Sequence, residues 1–126
     1  MITAHDYLTE VEARADAATN GPWQAITTGP RKGDHWHVTD SGQSIALIHA
    51  SDGEDEDTRQ CDADFIAAAR SDLPRMTAAL RAVLDLLEPV KITGEMQSYE
   101  IHQAEGYNEA LRDLADTITE KLGVGE

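Results

Sequence analysis

Between Trp23 and His49 the apolar residues alternate with a period of two, while on either side they recur every three or four positions. A chain patterned in this way is neither a helical bundle nor an all-β sandwich. It reads as an α+β fold: an N-terminal helix, a small three-stranded antiparallel sheet, then two or three helices packed on it. At 126 residues the chain is expected to be a single domain spanning 1–126, with one modest core.

The first helix is predicted over 3–18. Tyr7, Leu8, Val11, Ala15 and Ala18 share one face. Thr3 is placed to cap the start, with Asp6 answering as a capping-box variant. Asn20-Gly21-Pro22 stops the helix. The sheet is predicted over 22–49, with Trp23–Thr28 as one strand and a hairpin about Ser41-Gly42 as the other two. A two-residue turn there opposes Val38 to Ile45 and Trp36 to Leu47. All four then share the buried face, and His35, His37 and Thr39 take the other. Residues 50–61 hold the acidic run Ser51-Asp-Gly-Glu-Asp-Glu-Asp57 and read as a solvated loop, without the spacing of an EF-hand. Helices are predicted over 62–70 and 73–88, separated by a corner at Pro74, with Leu73, Met76, Leu80, Val83, Leu84 and Leu87 as the main core stripe. A last helix is predicted over 97–122, where Ala104, Tyr107, Leu111, Leu114 and Ile118 repeat as a short heptad seam.

Net charge narrows the function classes. The formal charge of -14 argues against direct nucleic-acid binding, which needs Lys and Arg to neutralise phosphates. The acidity is uneven. Residues 21–49 and 65–90 are each electrically balanced, while 50–64 sets seven acids against Arg59 alone. No apolar run is long enough to span a bilayer, and the opening MITAHDYLTEVEA lacks the basic and apolar regions of a signal peptide, so a cytoplasmic protein is expected. Cys61 is the only cysteine, which excludes an internal disulfide, and Asp62 and Asp64 beside it disfavour a reactive thiolate.

Three phrases stand out together: Ala-Thr-Asn-Gly-Pro-Trp at 18–23, Asp-Ala-Asp-Phe-Ile-Ala-Ala-Ala-Arg-Ser-Asp-Leu-Pro at 62–74, and Gly-Tyr-Asn-Glu-Ala-Leu-Arg-Asp-Leu-Ala-Asp at 106–116. In this order they resemble small accessory proteins of actinobacterial phages and prophages. More distantly the chain is similar to the Ead-like early-region proteins of lambdoid phages. The usual form of the first phrase has Pro where Asn20 stands here. The resemblance implies a phage accessory protein that acts in the host bacterial cytoplasm, and it implies no reaction and no catalytic residues.

The candidate chemistry lies between residues 30 and 37. Arg31, Lys32, His35, Trp36 and His37 gather two cations, two imidazoles and an indole in an otherwise anionic chain, a combination suited to a nucleotide-like anion. His35 and His37 form an H-x-H pair, a weak metal candidate that lacks a third ligand. No nucleophile elbow, P-loop or dinucleotide fingerprint occurs. The leading reading is therefore a non-catalytic protein without a cofactor that works against host defence by sequestering a small nucleotide-like ligand. One alternative is an acidic inhibitor or DNA mimic that binds a host protein. Another is a metal-dependent enzyme built on the His-x-His strand. A homodimer is expected, with Tyr107, Leu111, Leu114 and Ile118 as its interface.

Overall fold

A computed structural model describes residues 2–29, 35–49 and 55–125. The element order is α1 (Ala4–Ala17), β1 (Gln24–Thr28), β2 (His35–Thr39), β3 (Ser44–Ile48), α2 (Glu56–Leu86) and α3 (Ser98–Leu122). This is an α+β fold, with the antiparallel strands in the order β1-β2-β3. The chain divides into two compact units, one comprising Glu12–Met76 and the other the residues up to Val11 together with those from Thr77 onward.

The unit Glu12–Met76 holds the sheet. The inner face of β2 presents Trp36 and Val38, which pack against Ala63 and Ala67 of α2, with Trp23, Ala25, Ile45, Ala46 and Ile48 around them. The two alanines let the helix come close to the sheet, so the contact is made by small residues on α2 and large ones on the strands. The turn after α1, whose Gly21-Pro22 peptide is cis, is held by Arg70. The Arg70 Nε donates to the Thr19 carbonyl at 3.0 Å, and the Trp23 indole N–H donates to the same oxygen at 3.1 Å. The guanidinium lies 5.7 Å from the centroid of the Trp23 ring. A Cβ on Gly21 would stand 3.0 Å from Arg70 Cγ, so glycine leaves room for the arginine stem.

The hairpin differs from the expected register. Trp36 pairs with Ile48, His37 with Leu47, Val38 with Ala46 and Thr39 with Ser44, which leaves Ile45 as an extra residue at a β-bulge. The turn is wider than two residues because the Asp40 carboxylate accepts from both the Gly42 and Gln43 N–H groups, while the Asp40 N–H donates to the Gln43 carbonyl. The bulge absorbs the difference. Ala46 and Ile48 therefore turn inward, and Leu47 sits 39% exposed beside His37 rather than buried beside Trp36. Thr39, expected outside with the histidines, is buried.

Helix α2 is also not as expected. It begins six residues earlier, at Glu56, because Asp55 caps it by accepting the Thr58 N–H at 2.8 Å. Glu56 and Asp57 in the first turn favour that start through the helix dipole. Part of the acidic stretch is therefore helix, and residues 50–54 lie outside the described residues. The helix then runs through Pro74 without the expected corner. A proline in a helix interior costs about 3 kcal/mol. Here it is offset by burial on both sides, of Ala63 and Ala67 before it and Leu84 after it.

In the other unit, Ala4, Leu8 and Leu84 form the buried centre, flanked by Tyr7, Leu80, Leu87, Ile118, Leu122 and Val124. The expected core stripe on α2 thus divides. Leu84 is buried, Leu80 and Leu87 are partly so, and Leu73, Met76 and Val83 are exposed. The start of α1 is as expected: the Asp6 N–H donates to Thr3 Oγ1 and the Thr3 N–H donates to the Asp6 carboxylate. Buried Asn108 holds the segment after α2 on both edges, accepting from the Val90 N–H at 2.6 Å and donating to the Val90 carbonyl at 2.8 Å. Helix α3 ends at Gly123, which takes φ 71, a left-handed conformation that glycine adopts without strain.

Two measurements follow from these ties. Arg70→Ala should lower unfolding free energy by about 1–2 kcal/mol in denaturant melts, the sum of one hydrogen bond and one cation–π contact. The Asp55 carboxyl is held below its ordinary 3.8 by hydrogen bonds from Thr58, backbone first and then side chain. Its contribution to stability is present above 3.8 and is lost as pH falls through the lower folded value. A carboxyl-carbon NMR titration should give an Asp55 midpoint below 3.8, with the Thr58 amide losing exchange protection over the same pH range.

Candidate functional site

Strand β2 separates the residues expected to act together. His35 and His37 lie on the outer face of the sheet, and Trp36 points inward, where it is only 6% exposed. The alternation of a strand requires this: a residue between two outward side chains points to the core. The indole has no face left for a ligand to stack on, which corrects the place of Trp36 in the expected binding set. Its N–H is buried and has no hydrogen-bond partner among the described residues. Arg31 and Lys32 lie outside the described residues.

His37 ties the three strands together. Its Nε2 lies 2.8 Å from Thr28 Oγ1 on β1, and its Nδ1 lies 3.2 Å from Ser44 Oγ on β3. One ring nitrogen donates and the other accepts, and the two hydroxyls satisfy either tautomer. Both nitrogens of His37 are thus engaged in holding the sheet. No group of three or more His, Cys, Asp or Glu arranged to hold a metal ion occurs among the described residues. Cys61 is exposed on α2.

The seam on α3 splits along its two lines. Ala104 and Leu111 are buried, and Ile118 packs against Ala4, Leu8 and Leu84. Tyr107 and Leu114 remain more than half exposed. Leu111 and Ile118 are consequently interior residues of their unit and are not available to a second chain, which corrects half of the expected interface. Behind the seam Glu105, Glu109, Asp113, Asp116 and Glu120 are all exposed and follow one another at helical spacing. At 1.5 Å per residue this row extends for about 22 Å.

Two concave surfaces were not expected from the sequence. One is a groove of about 360 Å³ on α2, lined by Phe65, Ala68, Ala69, Asp72, Leu73 and Met76. Its signal was present: Ala63 and Ala67 set the buried side of the helix, and Phe65 then falls on the opposite side. The other is a cleft of about 230 Å³ that includes Thr3, His5, Leu84, Glu88 and Arg112, where His5 Nε2 lies 3.3 Å from an Asp85 oxygen.

Each of the three recognisable phrases carries one of the structural ties. Thr19, Gly21 and Trp23 of the first meet Arg70 of the second, and Asn108 of the third clamps Val90. No family model, curated protein or solved structure matches the chain. No helix among the described residues is long and apolar enough to cross a membrane.

The split seam is testable by paired substitutions. Leu111→Glu buries a charge and should cost more than about 3 kcal/mol or abolish folding, whereas Leu114→Glu should change stability by less than about 0.5 kcal/mol. Equal losses in denaturant melts would show that both lines of the seam are interior.

Proposed function

We propose that this chain is a non-catalytic accessory protein of phage origin that acts in the host cytoplasm by docking its acidic helical surface on a cationic surface of a host protein. The carrying observation is the exposed row Glu105, Glu109, Asp113, Asp116 and Glu120 on α3, in a chain of net charge -14. Such a row steers a basic partner from a distance and orients it on contact. Its carboxylates advance about 5.6 Å per charge along the helix. A DNA strand advances about 3.4 Å per phosphate. The row is therefore sparser than a nucleic-acid backbone and fits charge-matched docking on a protein better than imitation of a duplex.

The small-ligand alternative depends on the loop before β2. It loses the stacking partner it required, since Trp36 belongs to the core, and His37 is engaged on both nitrogens.

The test begins with cross-linking of the purified chain in host lysate and identification of the partner. Its affinity is then measured as a function of salt. Glu109→Gln/Asp113→Asn/Asp116→Asn should weaken binding at least about tenfold and flatten the salt dependence. Unchanged affinity in the triple variant would overturn the reading. So would mass spectrometry of the purified chain that found a small nucleotide-like ligand in stoichiometric amount.

A further inference from the structure

The groove on α2 is apolar, exposed and self-complementary. Phe65 is 65% exposed at one end and Met76 is 67% exposed at the other, with Ala68 and Ala69 between them and Leu73 at 44% beside Met76. Large side chains at the ends and small ones in the middle form a surface that fits its own reverse. We infer that a second copy of this chain docks here, with the two α2 helices antiparallel about a two-fold axis between Arg70 and Ser71.

In that register Phe65 meets Met76 of the second copy, Ala68 meets Leu73 and Ala69 meets Asp72, each pair made twice by symmetry. Phe65 against Met76 sets a thioether at an aromatic ring, a favourable contact. Leu73 enters the space above the small Ala68, as a knob fits a hole.

Charge also selects a second copy at this position. Two chains of -14 repel one another over most of their surface, but residues 65–76 hold Arg70 and Arg75 against Asp72 alone. In the antiparallel register Arg75 comes level with Ile66 of the second copy, about 3 Å of rise from its Asp64 and on the same flank. Arg75 and Asp64 are both exposed. The two Arg75–Asp64 pairs flank the apolar centre and favour the antiparallel direction over the parallel one. This inference is independent of the acidic docking surface on α3.

Cys61 provides the test, because it is the only cysteine and is exposed on the same helix. Spin labels on Cys61 of the full chain should give an interlabel distance of about 30 Å, from 19 residues of rise plus the interhelical spacing. Parallel pairing would give about 10–15 Å. Sedimentation of the wild type should show a concentration-dependent dimer. Met76→Asp should raise its dissociation constant at least about tenfold with helicity unchanged by circular dichroism, while Leu114→Asp on α3 should leave it unchanged. If Met76→Asp fails to fold, the Cys61 distance in the wild type decides by itself. A wild type that is monomeric at every concentration would overturn the inference. So would a short Cys61 distance, a dimer that survives Met76→Asp, or a monomer that loses a different protein partner with that substitution.

Discussion

The carbonyl oxygen of Thr19 is the point on which the sheet-bearing unit turns. It accepts from both the Trp23 indole and the Arg70 guanidinium, and the guanidinium also lies over the indole ring. The chain has just left α1 there and must reverse into β1, so its carbonyls have no helical partner. Satisfying one of them from α2, fifty-one residues away, fixes where the first strand starts relative to the helix that covers the sheet. Ala63 and Ala67 on that helix then meet Trp36 and Val38, and His37 locks the strands together from the other side.

The strong acidity has two structural uses and one consequence. Carboxylates of Asp6, Asp55 and Glu100 each accept a backbone N–H at or near the start of a helix, where such groups otherwise lack partners. The remaining acids form exposed rows that keep the surface charged and repel like surfaces. Approach of any anionic molecule, including another copy, is therefore easiest along the balanced stretch of α2, which is also where the apolar groove lies. Approach of a cationic partner is easiest along α3. The two surfaces call for different partners by charge alone.

Much of the fold was legible because local patterns were consistent with it. The capping box of α1, the stop at Asn20-Gly21-Pro22, the three strands and the limits of α3 all follow from residue type and spacing. The inward direction of Trp36 was also legible, since it lies between two outward histidines on a strand. The site was less so. A cluster of Arg31, Lys32, His35, Trp36 and His37 is close in sequence, but a strand sends neighbours to opposite faces, so proximity along the chain did not become proximity in space.

Sequence by itself determined the element types, the helix caps and the division of charge, because these depend on contacts within a few residues. Only the tertiary structure decided the register of β3, the passage of α2 through Pro74 and the side of α2 left bare. The Asp40 turn leaves Ile45 over as a bulge, and no periodicity reveals an extra residue. Continuity through Pro74 depends on burial at both ends of a long helix, which outweighs a local preference to break. Which face of α2 is buried was settled by Ala63 and Ala67, since only small side chains let the helix approach the sheet. Phe65, Leu73 and Met76, the more hydrophobic residues, were left outside by that close approach.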